Sequence, residues 1–365
     1  MQSVPLLLAL AAAFIAAAAS PARFLPSPVV AAYTNWGECG PTVTRAAEDG
    51  VNVVFWFSIN LHPGSPPTHC LNLTCIAGVA AGLRARGLRT THMVTVGGWD
   101  APHPVNGSGA DFYRAWKAWN EGAVAAAGLP GGFDGVDWDL EGNDNATSAW
   151  NTLGAATLDI VGAFSALAKA DDYLVTLVPA ESYFDETTPR FDASLTWPYP
   201  EWQPDFKYHG HNPYAYLWSR YGGAFDAVTV QLYESFSHAN YNVTVLGQRP
   251  ADYLAAWAAR LRDGWLVDFG SDPAARWPSQ RVAVPPAKLL VGLANGWAGG
   301  EHPKSLLIMP EEVGAAWRAG APFAGAAFWC IAEEGAVPSG QSAPLWMAQG
   351  LNGVFGTRPA GRRDA

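Results

Sequence analysis

The chain is organised around an acidic segment that reads Gly131-Gly132-Phe133-Asp134-Gly135-Val136-Asp137-Trp138-Asp139-Leu140-Glu141. Three acidic residues, Asp137, Asp139 and Glu141, alternate there with apolar residues, and the segment contains no Lys or Arg. Strand side chains point alternately to opposite faces, so a strand would place the three carboxylates on one face. Neighbouring carboxylates raise one another's pKa, which suits a proton donor that works near neutral pH. We therefore expect this strand to carry the chemistry of the protein.

The rest of the chain repeats one pattern, a short apolar run followed by an Ala-rich amphipathic stretch. Apart from the acidic strand, the runs lie near 28–33, 51–57, 91–96, 173–179, 227–233, 288–293 and 324–330. Helices are expected near 42–49, before 87, and near 111–127, 146–169, 214–221, 250–263, 311–318 and 344–350.

Eight strand-then-helix units predict an α/β fold, a single (β/α)8 TIM barrel. Continuous apolar strands are typical of a parallel sheet that is buried on both faces. An open, doubly wound sheet is the alternative, but no glycine-rich phosphate motif follows the first strand. The active site of such a barrel lies at the C-terminal ends of its strands, which places Asp139 and Glu141 at the mouth.

The composition narrows the class of protein. The chain has 365 residues, 49% of them hydrophobic, which predicts a globular protein with a sizeable core. The net charge is −10 and the only basic cluster is the terminal Gly361-Arg362-Arg363, so nucleic acid is not an expected partner. The 17 Trp residues exceed what a core needs and suit carbohydrate, because indole faces stack on sugar rings.

Residues 1–20 have the features of a secretory signal peptide, with an apolar stretch and small residues before Ser20. The alternative is a membrane anchor, but the apolar run is short for a membrane span. The polar C-terminus argues against a lipid anchor. We therefore expect a secreted, extracellular protein whose residues 21–365 form one catalytic barrel. Its expected partner is carbohydrate and not a membrane, and we expect a monomer.

Glycosylation and disulfide bonds fit that compartment. Four sequons predict glycosylation at Asn72, Asn106, Asn145 and Asn242. Four cysteines allow three pairings, of which we favour Cys70–Cys75 within one loop together with Cys39–Cys330; free buried thiols are the alternative. We expect no metal site, because no CxxC or HxxxH spacing occurs, and we expect no cofactor.

The acidic strand resembles the DGxDxDxE motif of glycoside hydrolase family 18, which contains chitinases and endo-β-N-acetylglucosaminidases. The matching segment runs from Asp134 to Glu141. Weaker matches follow in the family's order, with Thr95-Val96-Gly97-Gly98 on the third strand, Gln231-Leu232-Tyr233-Glu234 on the sixth and Trp329 on the eighth. Thr95 and Glu234 differ from the family's residues at those positions.

The resemblance implies a separate role for each acid of the strand. Glu141 would protonate the leaving oxygen, Asp139 would orient the 2-acetamido group of the sugar, and Asp137 would share a proton or hydrogen bond with Asp139. Acids on one strand cannot reach both sides of a sugar ring, so the substrate itself would supply the nucleophile. Asp134 is out of phase with the inward face, and we expect it to be structural.

The remaining candidates line the same mouth. By the resemblance, Tyr233 would bond the acetamido carbonyl, Trp329 would form the floor of the sugar site, and Gln231 and Glu234 would line the pocket. The other expected substrate-binding residues are Tyr33, Gly97, Gly98 and Trp99, with Trp36 and Trp297 as further candidates for the rim. Packing in the core is the alternative for each aromatic residue, and the glycines would let the backbone pass close to substrate or core.

The loop after the fifth strand, from Glu181 to about His211, is long and aromatic and could wall one side of the groove. Only about thirty residues separate the seventh and eighth strands, which leaves no room for a large α+β insertion domain. We therefore expect an open cleft and endo-type or short-oligomer cleavage.

Three functions fit these features. The first is hydrolysis of β-1,4 bonds at N-acetylglucosamine in chitin or chito-oligosaccharides, with retention of configuration and substrate assistance. The second is an endo-β-N-acetylglucosaminidase that acts on N-glycans. The third is a non-catalytic chitin-binding lectin on the same barrel, against which the presence of Glu141 argues.

Overall fold

A computed structural model describes residues 23–196, 210–298 and 305–357. The predicted signal peptide lies outside the described residues, as do Trp197, Tyr199, Trp202, Phe206 and Tyr208 of the aromatic loop. Within the described ranges, no helix is both long enough and apolar enough to cross a membrane.

Eight parallel strands form a closed barrel. Each strand pairs with its neighbours in chain order, and the first strand pairs with both the second and the eighth, which closes the sheet. The strands are β1 Val29–Tyr33, β2 Val53–His62, β3 Thr91–Gly98, β4 Gly135–Leu140, β5 Leu174–Leu177, β6 Ala227–Gln231, β7 Leu289–Ala294 and β8 Gly325–Trp329. This closure excludes the open, doubly wound sheet.

One longer helix follows each strand. The helices are α1 Pro41–Glu48, α2 Leu73–Ala85, α3 Gly109–Trp119, α4 Ala155–Ala170, α5 Pro213–Tyr221, α6 Pro250–Asp263, α7 Pro310–Arg318 and α8 Met347–Phe355. The prediction of a (β/α)8 barrel is therefore confirmed. Residues 295–324 between β7 and β8 include α7 and are too few for a large insertion domain.

Two apolar clusters hold the barrel together. The larger lies between strands and helices and includes the fully buried Trp56, Trp116 and Trp138. The smaller fills the lower barrel interior around Phe55 and Met93. On β4 the apolar side chains therefore pack under the helices while the acids point inward, as the alternating pattern requires.

Local side-chain bonds explain where helix boundaries differ from expectation. The helix expected from residue 146 begins at Ala155, because the preceding segment forms turns closed by its own side chains. Asn145 Oδ1 accepts from Thr147 N at 3.2 Å, and Ser148 Oγ accepts from Trp150 N at 3.2 Å. Such bonds compete with helix formation.

Two antiparallel pairings were not predicted. β2 continues past the barrel and pairs with a short strand, Ser65–His69. A second hairpin after α6 joins Trp265–Val267 to Gln280–Val282. Strands of three to five residues show too little alternation of apolar and polar residues to be distinguished from loops in the sequence.

The predicted disulfide pairing is wrong. Cys39, in the loop after β1, bonds Cys75 in the first turn of α2, and Cys70 and Cys330 are free. Asn72 caps α2 by accepting from Cys75 N at 3.0 Å, which starts the helix between the two cysteines expected to pair. Cys70 instead lies near Gly37, and Cys330 is buried at the end of β8.

Candidate active site

Asp137 lies deepest of the three acids and is fully buried inside the barrel. Its carboxylate accepts hydrogen bonds from Thr176 Oγ1 at 2.5 Å, Tyr33 Oη at 3.0 Å and Thr95 Oγ1 at 3.4 Å. Burial raises its pKa to about 7, although these three bonds favour the charged form. Three strands therefore hold Asp137 in place below the catalytic pair.

Asp139 and Glu141 lie side by side at the mouth of β4, where both carboxyl groups are within hydrogen-bond distance of one nitrogen, Gln231 Nε2. Burial, followed by the charge of Glu141, raises the pKa of Asp139 well above its ordinary value. Burial also raises the pKa of Glu141, while its bonds to Asp139 and Gln231 act in the opposite direction. The two carboxyl groups titrate as a coupled pair, and the pKa of each lies above its ordinary value.

Gln231, the last residue of β6, bridges this pair. Its Nε2 donates to Val178 O at 2.8 Å and lies 3.0 Å from Asp139 Oδ1 and 3.2 Å from Glu141 Oε1. All three partners are acceptors, so the amide orientation is determined. Gln231 is only 2% exposed, and its Oε1 is buried without a protein partner among the described residues. A donor from a bound ligand would satisfy it.

The acids open into a groove with a volume of about 440 Å³. Its walls are aromatic and acidic, and no Lys or Arg occurs among the described residues that line it. The lining residues are Trp36, Phe57, Trp99, Asp139, Glu141, Asp144, Gln231, Tyr233, Glu234, Ser235, Trp297, Ser305 and Trp329. This surface suits a neutral ligand with flat apolar faces and many hydroxyl groups.

Aromatic rings run from the floor of the groove to its rim. Trp329 contacts Phe57 edge-on at 4.8 Å between ring centroids, and Phe57 contacts Trp36 edge-on at 4.5 Å. Trp36 is 52% exposed and Trp99 is 48% exposed, so both offer open indole faces at the rim. On the far side, the Tyr233 ring packs edge-on against Trp297 at 5.7 Å.

Glu234 adds a carboxyl group from β6 to those of β4. Burial, followed by the charge of Glu141, raises its pKa to about 8. Tyr233, its neighbour, has its pKa raised well above the ordinary value by burial and by the charges of Glu234 and Glu141. Both side chains reach the groove close to the catalytic pair.

Some expected substrate-binding residues lie beneath the groove. Tyr33 is buried and bonds Asp137. A Cβ at Gly97 would lie 2.2 Å from Asp139 O, and one at Gly98 would lie 2.3 Å from the Phe57 ring. Both glycines have a φ of +104°, a conformation that other residues rarely adopt. The backbone therefore explains why glycine stands at both positions. Asp134 lies at the base of β4, where its carboxylate accepts from His92 N at 2.7 Å.

Three further aromatic residues belong to the site. The sequence placed Tyr183 in the loop expected to wall the groove, but it did not indicate Phe57 or Tyr214. Phe57 lines the groove, Tyr183 approaches the catalytic acids from the loop after β5, and Tyr214 of α5 reaches the backbone of β4. No sequence motif surrounds any of the three. Only Tyr183 carried a signal, its place in the long loop that follows a barrel strand.

A buried ionic cluster supports the wall that carries Tyr183. Glu181 Oε2 accepts from Ala239 N at 2.9 Å, and Asp185 pairs with His238 at 2.9 Å. Burial lowers the pKa of His238, but the hydrogen bond and charge of Asp185 outweigh it and raise the pKa to about 9. Glu186 pairs with Arg260 of α6 at 2.7 Å. These bonds join the loops after β5 and β6 behind the groove.

No group of metal-ligating side chains is assembled among the residues in the three described ranges.

No family model matches the chain, and no curated protein matches it. Solved structures do match. The C-terminal domain of Legionella pneumophila ChiA superposes with a TM-score of 0.55 at 15% identity, over 83% of this chain and 93% of that chain. A fungal endo-β-N-acetylglucosaminidase from glycosyl hydrolase family 18 has a TM-score of 0.53 at 15% identity, over 90% and 98%.

The active domain 2 of chitinase from Pyrococcus furiosus superposes with a TM-score of 0.52 at 13% identity, over 92% of this chain and 95% of that chain. The chain shares the fold of these proteins. The resemblance drawn from the acidic strand is thus confirmed at the level of the fold, and what those proteins act on is considered below.

Proposed function

We propose that this chain is a family 18 glycoside hydrolase that cleaves β-1,4 bonds at N-acetylglucosamine in chitin or chito-oligosaccharides. The observation that carries the proposal is that Asp139 and Glu141 meet at the mouth of β4, 3.0 and 3.2 Å from Gln231 Nε2. A carboxyl pair of this kind supplies one acid with a proton near neutrality and one group that can accept an N–H.

Proton placement is the first step of the mechanism. Burial raises the pKa of both Asp139 and Glu141, which favours a proton on the pair. When the N–H of a 2-acetamido group donates to Asp139, that carboxyl favours its ionised form and the proton passes to Glu141. Glu141 then protonates the glycosidic oxygen as the bond to the anomeric carbon breaks.

The substrate supplies the nucleophile in this scheme. The acetamido carbonyl oxygen attacks the anomeric carbon and forms a cyclic oxazolinium, whose N–H Asp139 holds. Tyr233 donates a hydrogen bond to the same carbonyl oxygen. Water then opens the ring, Glu141 takes its proton, and two inversions give net retention of configuration.

The groove surface supports a neutral sugar chain as ligand. Trp329 lies on the floor beside the acids, and the exposed Trp36 and Trp99 flank the rim. Indole faces of this kind stack on the apolar faces of sugar rings. The lining acids and the lack of a described lining cation disfavour sulfated or sialylated chains at the cleavage point.

An endo-β-N-acetylglucosaminidase is the second candidate. The openness of the groove favours it, because residues 295–324 between β7 and β8 leave no domain to cover the rim. A branched glycan could enter from that side. The endo-β-N-acetylglucosaminidase structure noted above has the same fold, and the same acid pair would serve both reactions.

We also propose that the protein is secreted, glycosylated and monomeric. The segment 1–20 supports export, and the sequon residues Asn72, Asn106 and Asn145 lie exposed on the surface. The Cys39–Cys75 disulfide fits an oxidising compartment.

Product analysis tests the function. Purified protein is incubated with N-acetylglucosamine tetramer and pentamer and, separately, with a high-mannose glycoprotein. Cleavage of the oligomers supports the chitin proposal, and release of glycan without oligomer cleavage would replace it with the second candidate. Oligomer binding without turnover would indicate a lectin.

Two further arms test the mechanism. Glu141→Gln should reduce kcat by about 10²–10⁴-fold, since it removes the general acid. Surface Glu311→Gln is the matched control. A hexosamine thiazoline should inhibit competitively because it resembles the oxazolinium; unchanged turnover in its presence would contradict substrate assistance.

A further inference from the structure

The hydroxyl of Tyr214 is embedded in the backbone of β4 between the two catalytic acids. Tyr214 is fully buried in the first turn of α5. Its hydroxyl accepts from Leu140 N at 2.6 Å and lies 3.2 Å from Leu140 O and 3.4 Å from Trp138 O, to one of which it donates. Leu140 is the residue that separates Asp139 from Glu141.

The register of the sheet shows what this hydroxyl replaces. β4 and β5 pair from Gly135↔Leu174 to Trp138↔Leu177, and Val178 N donates to Trp138 O at 2.9 Å. In a parallel ladder, the next step would join Leu140 N to Val178 O. That step is absent, and the Tyr214 hydroxyl satisfies Leu140 N and faces Leu140 O instead.

The missing step leaves Val178 O free for another donor. Gln231 Nε2 takes it at 2.8 Å, and the same nitrogen lies within hydrogen-bond distance of Asp139 and Glu141. Gln231 N also donates to Pro179 O at 2.8 Å, so β5 turns from β4 toward β6 at this point. The separation of β4 from β5 is what admits the bridging amide.

We propose that Tyr214 is a positioning residue that holds β4 and β5 apart, so that Gln231 can bridge Asp139 and Glu141. Its part in turnover rests on the proposed function, whereas its effect on the acid pair does not. Without the hydroxyl, Leu140 N is a buried donor with no partner, and Val178 O is the acceptor that the parallel ladder would supply. A move of Val178 O toward Leu140 N weakens its bond to Gln231 Nε2.

Tyr214→Phe tests the proposal, because it removes one oxygen and keeps the ring. The carboxyl of Glu141 is titrated in the free protein by selective ¹³C-glutamate labelling, with Glu141→Gln for assignment. A lost amide bond disfavours the ionised carboxylate, so its titration should move upward by about 0.5 pH unit or more. Tyr216→Phe is the matched control on the same helix, since Tyr216 bonds Asp159 at 2.9 Å, away from the site.

Kinetics supply the second readout. Tyr214→Phe should lower kcat about tenfold with KM changed less than twofold, because the acid is misplaced rather than removed. The alkaline limb of the pH–rate profile should move upward, because the weakened amide bond raises the pKa of Glu141. The proposal would be overturned if Tyr214→Phe lost only as much thermal stability as Tyr216→Phe while the titration of Glu141 and the alkaline limb of the pH–rate profile stayed unchanged. If the wild type cleaves no oligomer, the proposed function fails while the titration still decides the role of Tyr214.

One measurement needs no variant. The Leu140 amide hydrogen should exchange slowly in the wild-type protein, because it is bonded to a buried phenol. Rapid exchange at Leu140, beside slow exchange at Trp138, would overturn the proposal.

Discussion

Asp139 and Glu141 both lie within hydrogen-bond distance of Gln231 Nε2 at the mouth of the barrel, at 3.0 and 3.2 Å. Burial raises the pKa of both carboxyl groups. The raised pKa values favour the protonated forms and make the folded state sensitive to alkaline pH.

The first prediction concerns stability and pH. The folded-state pKa of Glu141 lies above its unfolded value, so the folded protein binds more protons and its stability falls as pH rises from about 4.5 toward the raised pKa. Glu141→Gln removes that loss. It should be more stable than the wild type at pH 8, and the difference should disappear near pH 4. Thermal unfolding at both pH values checks this, with Glu311→Gln as the control; equal shifts at both would contradict it.

The second prediction concerns Glu234. Its charge contributes to the raised pKa of Asp139, after burial and the contributions of Glu141 and Asp137. Glu234→Gln removes that repulsion, so the pair should lose its proton at lower pH. The alkaline limb of the profile of kcat/KM against pH should move down by about 0.5–1 unit. An unmoved limb would show that Glu234 does not couple to the pair.

The third prediction tests Trp99 as a sugar platform. It is 48% exposed at the rim, so its removal costs little packing. Trp99→Ala should raise KM for the oligomers about threefold to tenfold and leave kcat within twofold, in line with the energy of an aromatic contact. Phe24→Ala is the control, because Phe24 is equally exposed, at 48%, and does not line the groove. Unchanged KM for Trp99→Ala would exclude the platform role.

The fourth prediction concerns Gly98. A Cβ there would lie 2.3 Å from the Phe57 ring, and the backbone has a φ of +104°. Gly98→Ala should therefore destabilise the protein by at least about 2 kcal/mol. Adding Phe57→Ala removes the clash but not the backbone strain, so it should restore only part of the loss. Full tolerance of Gly98→Ala in thermal unfolding would contradict this account.

The fifth prediction concerns the disulfide. Peptide mapping without reduction should recover Cys39 linked to Cys75, with Cys70 and Cys330 alkylated after unfolding. The bond spans a sequence separation of 36, so a Cys39→Ser/Cys75→Ser variant should lose about 3–4 kcal/mol of stability. Recovery of a Cys70–Cys75 peptide would contradict the pairing.

The pattern of apolar runs was enough to predict the barrel, because eight strand-then-helix repeats leave few ways to bury both faces of a parallel sheet. The helix at Pro250–Asp263 begins and ends where the sequence places it. The helix expected from residue 146 does not, because side-chain turns around Asn145 and Ser148 precede Ala155. Such competition depends on individual hydrogen bonds that a periodic pattern does not contain.

The site divides in the same way. The position and inward direction of Asp137, Asp139 and Glu141 follow from the period of a strand, which is a local property of eleven residues. The groups that act on them do not. Gln231, Tyr214 and Phe57 come from β6, α5 and β2, and the acids meet them only because the barrel closes.

Cysteine pairing shows the same limit. Cys70 and Cys75 are neighbours in sequence, yet the start of α2 turns Cys75 toward the loop after β1. The order of residues thus determined the barrel and its acidic strand, because both depend on side-chain period along a single segment. The tertiary structure decided which groups surround each acid and which cysteines bond, because those depend on distances between segments far apart in the chain.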